Sequence, residues 1–271
     1  MKNVGKLFLF LILATTISLA PALAQELPEV NEMMNTAIQK VLEDDKLKAE
    51  RLTYYKRYTE QKIEERRGKI VPKGGTEKQE LYYVFAKNGM FFEELTQKNG
   101  RLPSEADRVE KMADKRPDIE DILGRNRYNF RLLGVSEYNT KQVYSVSFEP
   151  KHPFLQPKVS AQDPLKKVAE NEILNNLYGL IYVDQEDFVM IRVEAHLHRP
   201  PLRIKTGKLF RFDATFEREL VDKISVNKRL TIIIKYAYVS LIWNFFEEFE
   251  KITIDYEDYR LIPPDQVRQD P

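Results

Sequence analysis

Hydrophobic residues recur along the chain in two rhythms. Between Gly207 and Glu217 the sequence reads GKLFRFDATFE, and Phe210, Phe212, Ala214 and Phe216 alternate with Arg211, Asp213, Thr215 and Glu217. Strand side chains alternate faces with period two, so this predicts a strand with one dry and one wet face. Three phenyl rings on one short face need a large apolar volume opposite them. The same period returns in Tyr144, Val146 and Phe148, in Val189, Ile191, Val193, Ala195 and Leu197, and in Leu230, Ile232, Ile234, Tyr236 and Tyr238. The second rhythm is helical. It gathers Val30, Met33, Met34, Ala37, Ile38, Val41 and Leu42 on one side of an amphipathic helix that follows Pro28.

Other elements follow from local signals. Leu52 to Ile63 is rich in tyrosine and charge, which predicts a solvated strand at or near a sheet edge. Asn88-Gly89, Asn99-Gly100 and Asn139-Thr140 mark turns, and Tyr128 to Phe148 reads as a hairpin. Ser104, with Glu105 and Asp107 behind it, predicts a second helix carrying Ala106, Val109, Met112 and Ala113 on its apolar side. Pro150, Pro153 and Pro157 bar a central strand there and leave a loop holding Phe154 and Leu155. Asp163-Pro164 opens a third helix with Leu165, Val168, Ala169, Ile173 and Leu177 at helical spacing. Leu180 to Val183 and Phe188 to Leu197 are further strands, and Ile252 to Tyr259 closes the pattern. The sum is an α+β chain. It has one strongly curved antiparallel half-barrel sheet of about nine to eleven strands, with about three helices as a lid on the concave side.

The first 24 residues predict a signal peptide. Lys2 and Lys6 precede the apolar run Leu7 to Ala20, and Ala22-Leu23-Ala24 is an A-x-A cleavage site. Cleavage after Ala24 by the general secretory route leaves Gln25 first, so the thiol that bacterial lipoproteins acylate is missing. A single domain over residues 25–262 and a flexible tail over 263–271 are expected. The chain has no cysteine, which suits a bacterial periplasm better than a disulfide-rich secreted class. With 43 basic and 42 acidic residues no global field recruits nucleic acid. A charged content of 31% and the polar, proline-bearing end argue against a transmembrane β-barrel.

No reaction is legible. Nucleophile elbows, phosphate-binding glycine loops and zincin motifs do not occur. His196 and His198 share a strand face and read as wet-face residues, with no metal expected. Glu247, Glu248 and Glu250 alternate with aromatics and read as solvated charges instead of a catalytic pair. No cofactor and no enzymatic activity are expected. The surplus of apolar strand faces points to an unfilled interior able to take an apolar ligand. Val189, Ile191, Val193, Phe210, Phe212, Phe216, Ile232, Ile234 and Tyr236 are expected to line it. Phe154, Leu155, Leu165, Val168, Ile173 and Leu177 are expected to gate it.

The element order resembles the periplasmic outer-membrane lipoprotein carriers of the LolA type, and an uncharacterised bacterial branch of that superfamily most of all. The resemblance is carried by Asn99-Gly100-Arg101-Leu102-Pro103, Phe148-Glu149-Pro150-Lys151, Gly179-Leu180-Ile181-Tyr182-Val183-Asp184, Ile191-Arg192-Val193-Glu194 and Tyr256-Glu257-Asp258-Tyr259-Arg260. Tyr182 departs from it, standing where tryptophan is expected. The resemblance implies a half-barrel holding a lipid or lipoprotein acyl chains under lid helices, with no catalytic residue. It implies a monomer and a partner in the inner or outer membrane. The other reading is a structural or envelope-sensing interaction protein with a filled core.

Overall fold

The computed structural model describes residues 27–262 apart from 76, 88, 114–122, 124–126, 153–170, 205–206 and 240–244. Helix α1 (Val30–Arg51) starts where the helical rhythm starts. The Glu29 carboxylate caps it by accepting the Glu32 N–H at 2.7 Å. Thirteen strands follow: β1 (Leu52–Arg66), β2 (Lys69–Pro72), β3 (Lys78–Lys87), β4 (Met90–Lys98), β5 (Lys111–Met112), β6 (Tyr128–Tyr138), β7 (Lys141–Pro150), β8 (Leu177–Asp184), β9 (Met190–Leu197), β10 (Leu202–Ile204), β11 (Gly207–Val221), β12 (Ile224–Val239) and β13 (Phe245–Leu261). Positive φ angles at Asn139 and Thr140, and at Asp222 and Lys223, make the tight turns of the β6–β7 and β11–β12 hairpins.

All strands join one antiparallel sheet in the order β5-β4-β3-β1-β13-β12-β11-β9-β8-β7-β6, with β2 beside β1 and β10 beside β11. That order is the sequence order rotated. The chain starts mid-sheet, meanders out to β5, restarts at β6 and meanders back until β13 lies against β1. Among the described residues β5 and β6 do not pair, so the sheet is open between them. It is also curled. Flat, β4 and β6 would stand nine strand spacings apart, or ~43 Å, farther than the ~33 Å length of a 22-residue helix. Yet α1 touches both, as well as β1, β3 and β12.

The expectations need three corrections. The strand count is thirteen and exceeds nine to eleven, because β2, β5 and β10 are short pieces without an alternation of their own. The complete helices among the described residues are α1 and one three-residue 3-10 turn (Glu105–Asp107), fewer than the three expected; residues 171–174 are helical, and the expected helix from Asp163 otherwise lies outside the described residues. Ser104 does stand at the start of that turn, but the chain then enters β5, and Val109 and Met112 face water. Capping signals alone did not extend a helix there because nothing buries its apolar side. Lastly, β1 is not an edge strand; it lies between β3 and β13. Its charges are tolerated because other strands supply counter-charges: Lys56 bonds Glu93 of β4, beyond β3, and Arg57 bonds Glu257 of β13 at 3.1 Å.

Register sorts the two faces. Leu132, Val146, Ile181, Val193, Phe216, Leu230 and Ile254 stand side by side across β6, β7, β8, β9, β11, β12 and β13. One step along runs Phe130, Phe148, Gly179, Ala195, Ala214, Ile232 and Ile252. This is the concave face, and α1 lays Met33, Met34, Ala37 and Val41 into its β6–β9 part. On the convex face Arg192, Glu217, Arg229, Asp255 and Arg57 form a row of alternating charge across five strands. Beside it runs a row of Thr215, Thr231, Thr253 and Thr59. Opposite charges and paired threonines across strands each stabilise the ladder by roughly 0.2–1 kcal/mol. Slipping one strand by a single residue would invert its faces and break every such pair.

Candidate functional site

The concave face changes character at β1. The two apolar rows continue into Tyr58 and Glu60, then into Glu80 and Lys78 on β3. A third row reads Phe212, Ile234, Glu250 and Lys62. The β6–β9 part is a closed core: Val146, Ile181, Val193, Phe148 and Ala195 are almost fully buried. Over β11–β13 cover is thinner. Phe212, Phe216, Ile232, Ile234, Tyr236 and Ile252 point inward but are only half-buried. They form an apolar floor about 20 Å long from Tyr236 to Leu230, at the rise of a strand.

Tyrosine–carboxylate pairs edge this floor. The Tyr58 hydroxyl donates to Glu60 at 2.8 Å, Tyr82 to Glu80 at 2.8 Å, and Tyr236 to Glu248 at 2.9 Å. Tyr238 also donates to Glu248, at 3.4 Å. Burial first, then these bonds, holds the Tyr58, Tyr82 and Tyr236 phenols far above their ordinary value. Burial pushes the Glu250 carboxyl up to about 7, and its hydrogen bond with Glu248 and the charge of Glu248 add to the rise. Glu248 moves the other way, lowered by its bonds with Glu250 and Tyr236. Two carboxyl groups can hydrogen-bond only by sharing a proton, so the bond between them is formed as pH falls below about 7. Farther along the same face Lys56 and Glu93 form a buried pair, with Lys111 3.2 Å from Glu93.

Helix α1 is fastened over the other end of the concavity by polar contacts. The Lys40 ammonium donates to the Asp187 carbonyl at 2.9 Å. The Asp44 carboxylate accepts the Ser225 N–H at 2.9 Å, and Arg218 donates to the Ser225 hydroxyl and carbonyl, each at 2.9 Å. Burial, then the nearby Arg218 charge, lowers the Lys48 ammonium below its ordinary value. These contacts clamp the helix to the β8–β9 turn and the β11–β12 hairpin.

Most of the expected lining residues come together. Val193, Phe212, Phe216 and Ile232 meet in the main apolar cluster, and Ile234 and Tyr236 in a smaller one with Leu197, Leu202 and Leu209. Two do not fit the expected face. A β-bulge between Leu209 and Arg211 reverses the alternation, so Leu209 is buried and Phe210 is 36% exposed. A second irregularity, where Val183 pairs Met190 and Tyr182 pairs Arg192, puts Met190 into the core in place of Ile191. Val189 is buried just ahead of β9. Of the expected gate, Ile173 is helical and packs on both clusters, and Leu177 begins β8 within the core instead of belonging to a helix. Phe154, Leu155, Leu165 and Val168 lie outside the described residues.

The carboxylates also depart from expectation. Glu247 is exposed, but Glu250 is buried and Glu248 is bonded to two tyrosines. The two-residue spacing of Glu248 and Glu250 was the available signal, since it places both on one strand face. The His196 Nδ1 lies 2.7 Å from Asp213 on the convex side. Among the described residues no group of three or more histidine and carboxylate side chains could hold a metal ion.

No family model and no curated protein matches this chain. Solved structures do. A LolA superfamily protein from Nitrosomonas europaea is 13% identical, with 90% of this chain and 99% of that one covered at a TM-score of 0.37. An outer membrane lipoprotein-sorting protein domain from Vibrio parahaemolyticus is 9% identical, covering 87% and 94% at 0.39. A DUF1329 family protein from Desulfovibrio piger is 13% identical, covering 86% and 92% at 0.35. The superpositions are loose. The function is drawn from this chain's own geometry.

Proposed function

We propose that the chain is a periplasmic binding or carrier protein that holds an apolar or amphipathic ligand, a lipid or an acyl chain, on the concave face of its half-barrel. The supporting observation is the floor of half-buried, inward-facing residues at Phe212, Phe216, Ile232, Ile234, Tyr236 and Ile252. Concave apolar surface with a few convergent polar groups is the usual form of a ligand site. The periplasmic assignment rests on the leader-like residues 1–24. An open sheet edge cannot face hydrocarbon, which weighs against a membrane-spanning barrel. Among the described residues the arrangement offers no activated nucleophile, and binding is the reading proposed.

Native mass spectrometry of protein purified from a periplasmic extract tests this. Bound lipid, or uptake of added lipid, is the expected result. Protein that stays ligand-free with lipid in excess would refute it. That result would favour a filled-core interaction protein, a reading supported by the tight burial of Met33, Met34, Ala37 and Val41 against β6–β9.

A further inference from the structure

We propose that the rim built from Tyr236, Tyr238 and Phe246, with Glu248 and Glu250 beneath, is a head-group subsite for an ammonium-bearing amphiphile. The inference rests on the concave-face reading above and names the ligand class for it. The aromatic part comes first. Tyr236 is two residues from Tyr238, which stands opposite Phe246 in register. The ring centroids are 5.9 and 5.4 Å apart and the planes nearly parallel, at 24° and 20°. They make one continuous π surface on the inward face, and Phe246 keeps it open to solvent at 44% exposure. The face of an aromatic ring attracts a cation, more strongly as water is excluded.

The charge at the rim matches such a ligand. Glu248 stands opposite Tyr236, and Glu250 opposite Ile234 and Lys62. The hydroxyls of Tyr236 and Tyr238 fix the Glu248 carboxylate, and Glu60 on β1 acts on Glu250 from the neighbouring strand. Tyr58 and Glu80 lie farther along β1 and β3. Glu60, Glu248 and Glu250 thus face Lys62, while Lys78, opposite Glu60, is paired with Glu80 at 3.2 Å, so carboxylates outnumber cations among the described residues of this corner. An anionic head is repelled there. A cationic head gains the rings and two carboxylates, and it displaces the shared proton to solvent. The proton is held loosely enough for this exchange near neutral pH, since Glu250 sits at about 7. The attached alkyl chain then lies along Ile234, Ile232 and Ile252, on the floor that begins at the rim.

Binding of three single-chain probes, each below its micelle-forming concentration, tests the proposal: dodecyltrimethylammonium, lysophosphatidylethanolamine and laurate. Wild-type protein at pH 6 is expected to bind the ammonium about tenfold or more tighter than laurate, and to release part of a proton, read from the dependence of the binding heat on buffer ionisation. The Glu248→Gln, Glu250→Gln variant is expected to keep laurate binding and to bring the two probes to parity. Tight binding of lysophosphatidylethanolamine as well points to a membrane lipid; tight binding of the bare ammonium alone points to a free amphiphile. Equal affinity for ammonium and laurate in the wild type, or no proton release, overturns the subsite and leaves the concave-face reading intact. Failure to bind any of the three overturns both.

Discussion

The carboxyl pair on β13 gives a stability test with a defined sign. Glu250 has an ordinary value of 4.5 and sits at about 7 in the folded protein. Between these values the folded chain holds a proton that the unfolded chain has already released. The linked stability is therefore fully present below pH 4.5, is lost as pH rises through the folded value, and is gone above about pH 7. The interval corresponds to ~3 kcal/mol at most. Screening by solvent at the open rim reduces this to about 1–2 kcal/mol. Glu250→Gln keeps the shape and cannot ionise. Urea denaturation of both proteins at pH 5 and pH 8 reads the effect of the carboxyl pair, because every titrating group outside Glu248 and Glu250 is common to them. The wild type is expected to lose about 1–2 kcal/mol more than the variant between the two pH values. Equal losses would show that the pair shares no proton in the folded state.

Three further outcomes follow from packing. At Gly179 an added Cβ would lie 1.8 Å from the Glu194 carbonyl oxygen, so Gly179→Ala forces β8 and β9 apart, and thermal or urea melts should show a loss of about 2–4 kcal/mol. Phe212→Ala should cost about 2–3 kcal/mol by the same assay, and Phe210→Ala, on the bulge, less than about 1 kcal/mol; the reverse order would mean that the bulge is misplaced. Glu93→Ala removes the carboxylate that Lys56 and Lys111 both face, with an expected loss of about 3 kcal/mol, whereas the double replacement Lys56→Met, Glu93→Leu should come close to neutral.

The sheet was legible because β7, β9, β11 and β12 carry a two-residue alternation over much of their length, and a face that must be buried leaves that trace. The errors have separate physical causes. Phe210 and Ile191 were assigned to the wrong face because a bulge adds one residue without changing the apolar pattern, and parity flips from there on. The charged strand β1 was placed at or near an edge because its partners Glu93 and Glu257 come from distant parts of the chain. The helix expected after Ser104 failed because a cap states where a helix can start and not what it packs on. The tyrosine–carboxylate rim needs the register of β1, β12 and β13 together, which no local window contains. Only the two-residue spacing of Glu248 and Glu250 hinted at it.

The place of β13 between β12 and β1 has a consequence for biosynthesis. Strand β1 is made well before β13 and has one flank bare until β13 is made. The trough therefore gains its last wall, and the rim its carboxyl pair, only once β13 has been made. A nascent or shortened chain would expose the β1 flank to other strands and offer no place for a lipid. Under the function proposed above, such a schedule leaves no finished binding face before β13 is in place.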